Sequence, residues 1–119
     1  MIETLTRSHA GMRLIAQTTL YNRGDLERLR AYLADYYHPA ALEVQSAKDR
    51  LLELKMTYRL AGKLRVHQIV AADEHHVVVM LRGQKNNGLY LADMAVEEAY
   101  PHQVIQYHHQ LLGEIEPWG

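Results

Sequence analysis

Cysteine is missing from all 119 residues, so a disulfide framework, a thiolate metal site and a thiol nucleophile are ruled out together. A chain without cysteine points to an intracellular, cytoplasmic setting. Phenylalanine is missing too, while tyrosine occurs 8 times and tryptophan once. A buried tyrosine needs a partner for its hydroxyl, so this bias places several rings at a wet boundary such as a pocket wall or an interface. No stretch of apolar residues reaches membrane-spanning length, and the N-terminal segment interrupts its apolar positions with Glu3, Arg7, His9, Arg13 and Gln17, unlike a signal peptide. Neither charge sign dominates: 13 Lys and Arg stand against 14 Asp and Glu, unclustered, which argues against a nucleic acid partner.

The length suits one domain, 1–119, with no repeat or linker to divide it. The first half reads as helix. Ile2, Leu5, Met12, Ile15, Ala16, Thr19 and Leu20 recur at helical spacing and run into Asn22-Arg23-Gly24, where glycine suits the left-handed stop. Asp25 then caps a second helix with Leu26, Leu29, Leu33 and Tyr36 as its stripe and Pro39 marking its end. After a loop from His38 to Gln45, Ser46 caps a third helix carrying Leu51, Leu54 and Tyr58 beside Leu52, Met56 and Leu60, closed by Gly62.

Four strands follow: Leu64 to Ala72, His75 to Gln84, Leu89 to Glu97 and Gln103 to Leu112. A turn at Asp73-Glu74 opposes Val70 to Val77, Gln68 to Val79 and Val66 to Leu81. A turn at Asn87-Gly88 opposes Leu81 to Met94, Val79 to Val96 and Gly83 to Ala92. The face toward the helices then holds Val66, Gln68, Val70, Val77, Val79, Leu81, Tyr90, Ala92, Met94 and Val96, joined by Ile105, Tyr107, His109 and Leu111. The outer face holds Arg65, His67, Ile69, Val78, Met80, Arg82, Leu91, Asp93 and Ala95, with Arg82 opposite Asp93 as a cross-strand ion pair. The expectation is an α+β fold, three N-terminal helices on a curved four-stranded antiparallel sheet.

That outline resembles the nuclear transport factor 2-like superfamily, in which a curved sheet wraps helices into a cone. Tyr21-Asn22-Arg23-Gly24-Asp25-Leu26 resembles the junction between the first two helices of many members. The run Asp49-Arg50-Leu51-Leu52-Glu53-Leu54, with Gly62-Lys63-Leu64-Arg65-Val66-His67, is similar to a subgroup that accompanies serine hydrolases. The segment from His38 to Gln45 departs from many members, being too short for the hairpin they carry there. The resemblance implies a fold rather than a chemistry, since isomerases, cyclases, dehydratases, epoxide hydrolases and non-catalytic binders share it.

The histidines do not assemble into a metal site by pattern, because adjacent strand residues such as His75-His76 and His108-His109 point to opposite faces. No metal and no cofactor is expected. The polar groups expected around an apolar pocket are Gln68, Tyr90, Tyr107 and His109, approached by Tyr32 and Tyr36. Three functions fit. The first is binding of a small apolar or amphipathic molecule. The second is a cofactor-independent isomerase, cyclase or dehydratase in which His109 moves a proton and Tyr107 or Tyr90 stabilises developing negative charge. The third is a structural dimerisation module with a filled interior. The outer face independently suggests a homodimer, because Ile69, Val78, Met80, Leu91 and Ala95 are too apolar for water and their polar neighbours too polar for a helix-packed core.

Overall fold

A computed structural model describes residues 2–114, so the ends of the 1–119 range, including Trp118, lie outside the described residues. The described chain is α+β: five helices, α1 (Ile2–Thr6), α2 (His9–Arg23), α3 (Leu26–Tyr36), α4 (Pro39–Val44) and α5 (Ala47–Ala61), precede strands β1 (Leu64–Ala72), β2 (His76–Gly83), β3 (Gly88–Val96) and β4 (Val104–Glu114). The strands form one open antiparallel sheet in chain order, with the helices packed on one side.

The first expected helix is in fact two. Ser8 breaks it with extended backbone, accepts from the Gly11 N–H at 3.0 Å and donates to the Asp73 carbonyl at 2.6 Å, so the break is also a tie to the β1–β2 turn. Gly11 lies under the Leu5 backbone, and a β-carbon there would collide with the Leu5 carbonyl. The other punctuation behaves as its chemistry dictates. Gly24 takes φ 68°, Asp25 accepts from the Arg28 N–H, and Ser46 accepts from the Asp49 N–H. Pro39 begins a helix rather than merely ending one: it opens α4 inside the expected loop, with His38 as its cap.

The third expected stripe is corrected. α5 buries Arg50, Leu54, Thr57 and Ala61, while Leu52, Met56 and Leu60 are exposed. The reason is that α5 presents its polar Arg50 and Thr57 to hydrogen-bonding partners on β4.

In the sheet, parity survives between β2 and β3 although the partners move. A four-residue loop, with Asn87 at φ 56°, gives Val77–Met94, Val79–Ala92 and Leu81–Tyr90 in place of the expected pairs. Each of these residues is buried. Arg82 consequently opposes Leu89 and Asp93 opposes Val78, so the expected Arg82–Asp93 pair does not form.

β1 departs more. Its turn closes one residue later, through an Asp73 N–H bond to the His76 carbonyl, and two irregularities bring the register back to Val66–Leu81. Each inserts an extra residue. The residues opposite Leu81, Val79 and Val77 are therefore Val66, Ile69 and Ala72, three apart instead of two. Ile69 moves from the expected outer face to the core side, whereas Gln68 pairs with Met80 and is exposed, as is Val70. A similar shift at Ile105 buries Val104 and exposes Ile105, while Tyr107, His109 and Leu111 stand opposite inner residues of β3, Leu111 nonetheless remaining half exposed.

Candidate functional site

The helix-facing side of β3 and β4 and the polar face of α5 meet around Tyr37, Arg50, Thr57, Tyr90, Tyr107 and His109. Spacing on α5 explains the convergence: Arg50, Leu54, Thr57 and Ala61 lie on one helical face. The Arg50 guanidinium donates to the carbonyls of Gln45 at 2.9 Å, Ala41 at 2.8 Å and Tyr107 at 3.3 Å, and lies 5.0 Å from the centre of the Tyr37 ring. Tyr37 in turn donates its hydroxyl to Gln17 Oε1 at 2.6 Å, both side chains being buried.

His109 is held from both sides. Its Nε2 lies 2.8 Å from Thr57 Oγ1 and its Nδ1 lies 3.1 Å from the Tyr107 hydroxyl. Burial pushes the His109 pKa below its ordinary value, with His108 adding to the effect and Glu53 opposing it. Burial raises the Tyr107 phenol well above its ordinary range, reinforced by Glu53. The pair is therefore a neutral imidazole hydrogen-bonded to a neutral phenol. The space left between Leu33, Tyr37, Arg50, Glu53, Tyr107 and His109 is about 10 Å³, room for no more than a single water.

The linkage gives a testable sign. The unfolded chain binds a proton at His109 near the ordinary imidazole value of about 6.5, whereas the folded chain resists it. His109 thus contributes no penalty above that pH and costs stability as the pH falls below it, by at most about 1.4 kcal/mol per pH unit. His109→Gln is expected to flatten the fall in unfolding free energy between about pH 7 and pH 5. Urea titrations at each pH measure it, and equal slopes for both proteins would refute it.

Of the expected pocket residues, the structure brings Tyr90, Tyr107 and His109 together, with the Tyr90 and His109 rings 6.0 Å apart. It does not bring the others to them. Tyr32 donates to the Arg13 carbonyl at 2.7 Å and packs on Tyr36, whose ring the Arg13 guanidinium covers at 4.4 Å. Gln68 is on the opposite face, displaced by the β1 bulge. Arg50, Tyr37, Gln17 and Thr57 are the contributors that pattern reading passed over, although Arg50 and Thr57 stand four before and three after Leu54, a helical-face signal visible in the chain.

Two open grooves lie elsewhere. One of about 410 Å³ runs between α1, α2 and the start of β1, lined by Leu5, Leu14, Ile15, Leu64 and Val66 with Thr18 and Asn22 at its polar edge. Another, of about 350 Å³, lies between α3 and α5 beside Tyr21 and Tyr58.

The outer sheet face is a third candidate. Val78, Met80, Leu91 and Ala95 are partly exposed there, and Val70, Ile105 and Leu112 are about half exposed. Arg65 and Arg82 are direct cross-strand partners. With the Gln84 amide oriented so that its oxygen faces Arg65, the arrangement its neighbours call for, Arg65 donates to it through Nε and Nη2 at 2.6 and 2.8 Å. Arg82 Nη2 lies 3.0 Å from His67 Nδ1, and Arg82 Nε is enclosed without a partner. Farther along, Asp93 Oδ1 meets His76 Nε2 at 2.7 Å.

Histidines also gather at the β1–β2 turn, where the His9 ring stacks on His102 at 3.7 Å and lies 5.9 Å from His75. Stacked rings aim their lone pairs alongside one another rather than at a common point, and among the described residues no group of three or more His, Asp or Glu is arranged to hold a metal ion. Among those residues, too, no helix is long and apolar enough to cross a membrane. Compared with known proteins, the chain matches no family model, no curated protein and no solved structure.

Proposed function

We propose that this chain is a nuclear transport factor 2-like domain that works as a self-associating module, a homodimer formed through the outer face of its sheet. The single observation that carries the reading is the contrast between its two sheet faces. Between α5 and β4 the inner side closes on about 10 Å³, with the Tyr37, Tyr107 and Thr57 hydroxyls, the His109 imidazole and the Arg50 guanidinium hydrogen-bonded within the chain. The outer side leaves Val78, Met80, Leu91 and Ala95 partly exposed in one band. An apolar patch of Val78, Met80 and Leu91, with Asp93 and Arg82 beside it, suits a surface that meets itself across a two-fold axis. A proton-transfer role for His109 has less support, because both of its nitrogens are engaged and the space beside it admits no substrate.

Light scattering is the direct test. The unmodified chain should give roughly twice its 13.7 kDa mass at micromolar concentration, and Met80→Asp should move it to the monomer mass while circular dichroism stays unchanged. A monomer mass for the unmodified chain refutes the reading.

The second reading is binding of a small apolar or amphipathic molecule, and the observation in its favour is the groove of about 410 Å³ beside Leu14, Leu64 and Val66. Its volume is within the range of small-molecule sites, roughly 300–1,000 Å³. A ligand held there raises the melting temperature by mass action. A shift with an apolar ligand that Val66→Trp abolishes would favour this role.

A further inference from the structure

Arg82 has an unmet hydrogen bond on the outer face. Its cross-strand partner is another arginine, a like-charge opposition that destabilises a sheet pair, and among the described residues neither guanidinium reaches a carboxylate within 4.0 Å. Gln84 satisfies Arg65, whereas Arg82 keeps one contact to His67 and an enclosed Nε with no acceptor. Leaving a buried donor unmade is costly, so turning the Arg82 guanidinium out of this enclosure towards an acceptor is favoured.

The same face carries one carboxylate in the β2–β3 register, Asp93, and its place is what matters. Met80 and Leu91 are direct partners, Arg82 stands two residues beyond Met80 on β2, and Asp93 stands two residues beyond Leu91 on β3, toward the opposite end. At about 3.4 Å per residue the two charges are roughly 14 Å apart along the strands, too far to meet within one chain. They are also symmetric about the Met80–Leu91 pair. A two-fold axis lying between two facing sheets, passing over that pair and running across the strands, perpendicular to the line from Arg82 to Asp93, exchanges the two positions. From the geometry we infer that Arg82 of one copy donates to the Asp93 carboxylate of the other, twice by symmetry, and that this interlock sets the register of the dimer.

This rests on the homodimer proposed above. The His76 bond uses Asp93 Oδ1, and a carboxylate has lone pairs for further donors, so Asp93 can serve both. Arg82 reaches it by turning its guanidinium outward, which forfeits only the His67 contact. Met80 and Leu91 lie between the two contacts and supply the apolar centre.

Charge exchange tests the interlock. Arg82→Asp places like charges at both contacts of its own homodimer, and so does Asp93→Arg. Each variant alone is expected to lose about 100-fold in dimer affinity. When the two variants are mixed in equal amounts, both contacts of the heterodimer again join one acidic to one basic side chain. Native mass spectrometry should then show that heterodimer, with affinity restored to within about tenfold of the unmodified chain. Circular dichroism confirms that each variant folds, and Arg82→Glu with Asp93→Lys repeats the experiment if one does not. Folded variants that each dimerise like the unmodified chain, or a mixture that stays monomeric, overturn the interlock while leaving the homodimer standing. A monomeric unmodified chain overturns both.

Discussion

Replacing Arg50 with methionine is expected to lower the unfolding free energy by about 3 kcal/mol, the scale of lost hydrogen bonds to a charged group. Methionine keeps the apolar stem but removes the donors that hold the carbonyls of Ala41, Gln45 and Tyr107. Those carbonyls belong to α4, to the residue that ends it, and to β4, so one side chain joins the short helix to the sheet across the interior. Arg50 has only 7% of its surface exposed, and water has little access to replace it. Lysine should recover only part of the loss, because one ammonium cannot span carbonyls that a planar fork reaches from separate nitrogens. Chemical denaturation of the Met and Lys variants measures the effect, and a change below about 1 kcal/mol for methionine would show that the carbonyls find other partners.

Gly11→Val should be comparably damaging, by about 3 kcal/mol, mostly through overpacking. The obstacle is the main chain of Leu5, which cannot rotate away as a side chain would. Alanine makes the sharper comparison: helix propensity alone favours it over glycine by about 1 kcal/mol, yet here it should destabilise. A thermal melt in which Gly11→Ala is more stable than the unmodified chain would contradict the close approach of α1 to α2.

These two positions also show how much could be read from the chain. The caps Asp25 and Ser46 and the stop at Gly24 were legible because their roles depend on local backbone chemistry. The buried face of β2 and β3 was legible because alternation survives a change of loop length by an even number of residues. β1 was not, because a bulge leaves no mark on an apolar pattern that reads equally well at spacing two or three. Of its two insertions, the one between Val66 and Gln68 took Gln68 out of the expected pocket and set Ile69 against the core.

The interior was half legible. Tyr107 and His109 could be placed beside each other by alternation along one strand, and Tyr90 by register across two. Arg50 and Thr57 share a helical face with Leu54, but Leu51, Leu52 and Met56 offered a more apolar face for α5 and outweighed that signal. Tertiary hydrogen bonds decided the orientation, and a one-dimensional hydrophobic stripe does not contain them.

The irregular register of β1 has a consequence for how this protein can meet copies of itself. β1 is an edge strand, and a straight edge with free main-chain groups is a template on which further strands add without limit, ending in fibres. Two inserted residues twist that edge and break the even ladder an incoming strand would need. β4, the other edge, carries register shifts of its own, so the homodimer proposed above would use the apolar patch on the sheet's face rather than either edge. A face that meets itself across a two-fold axis is used up once two copies have joined, so association stops at a closed pair instead of growing into a polymer.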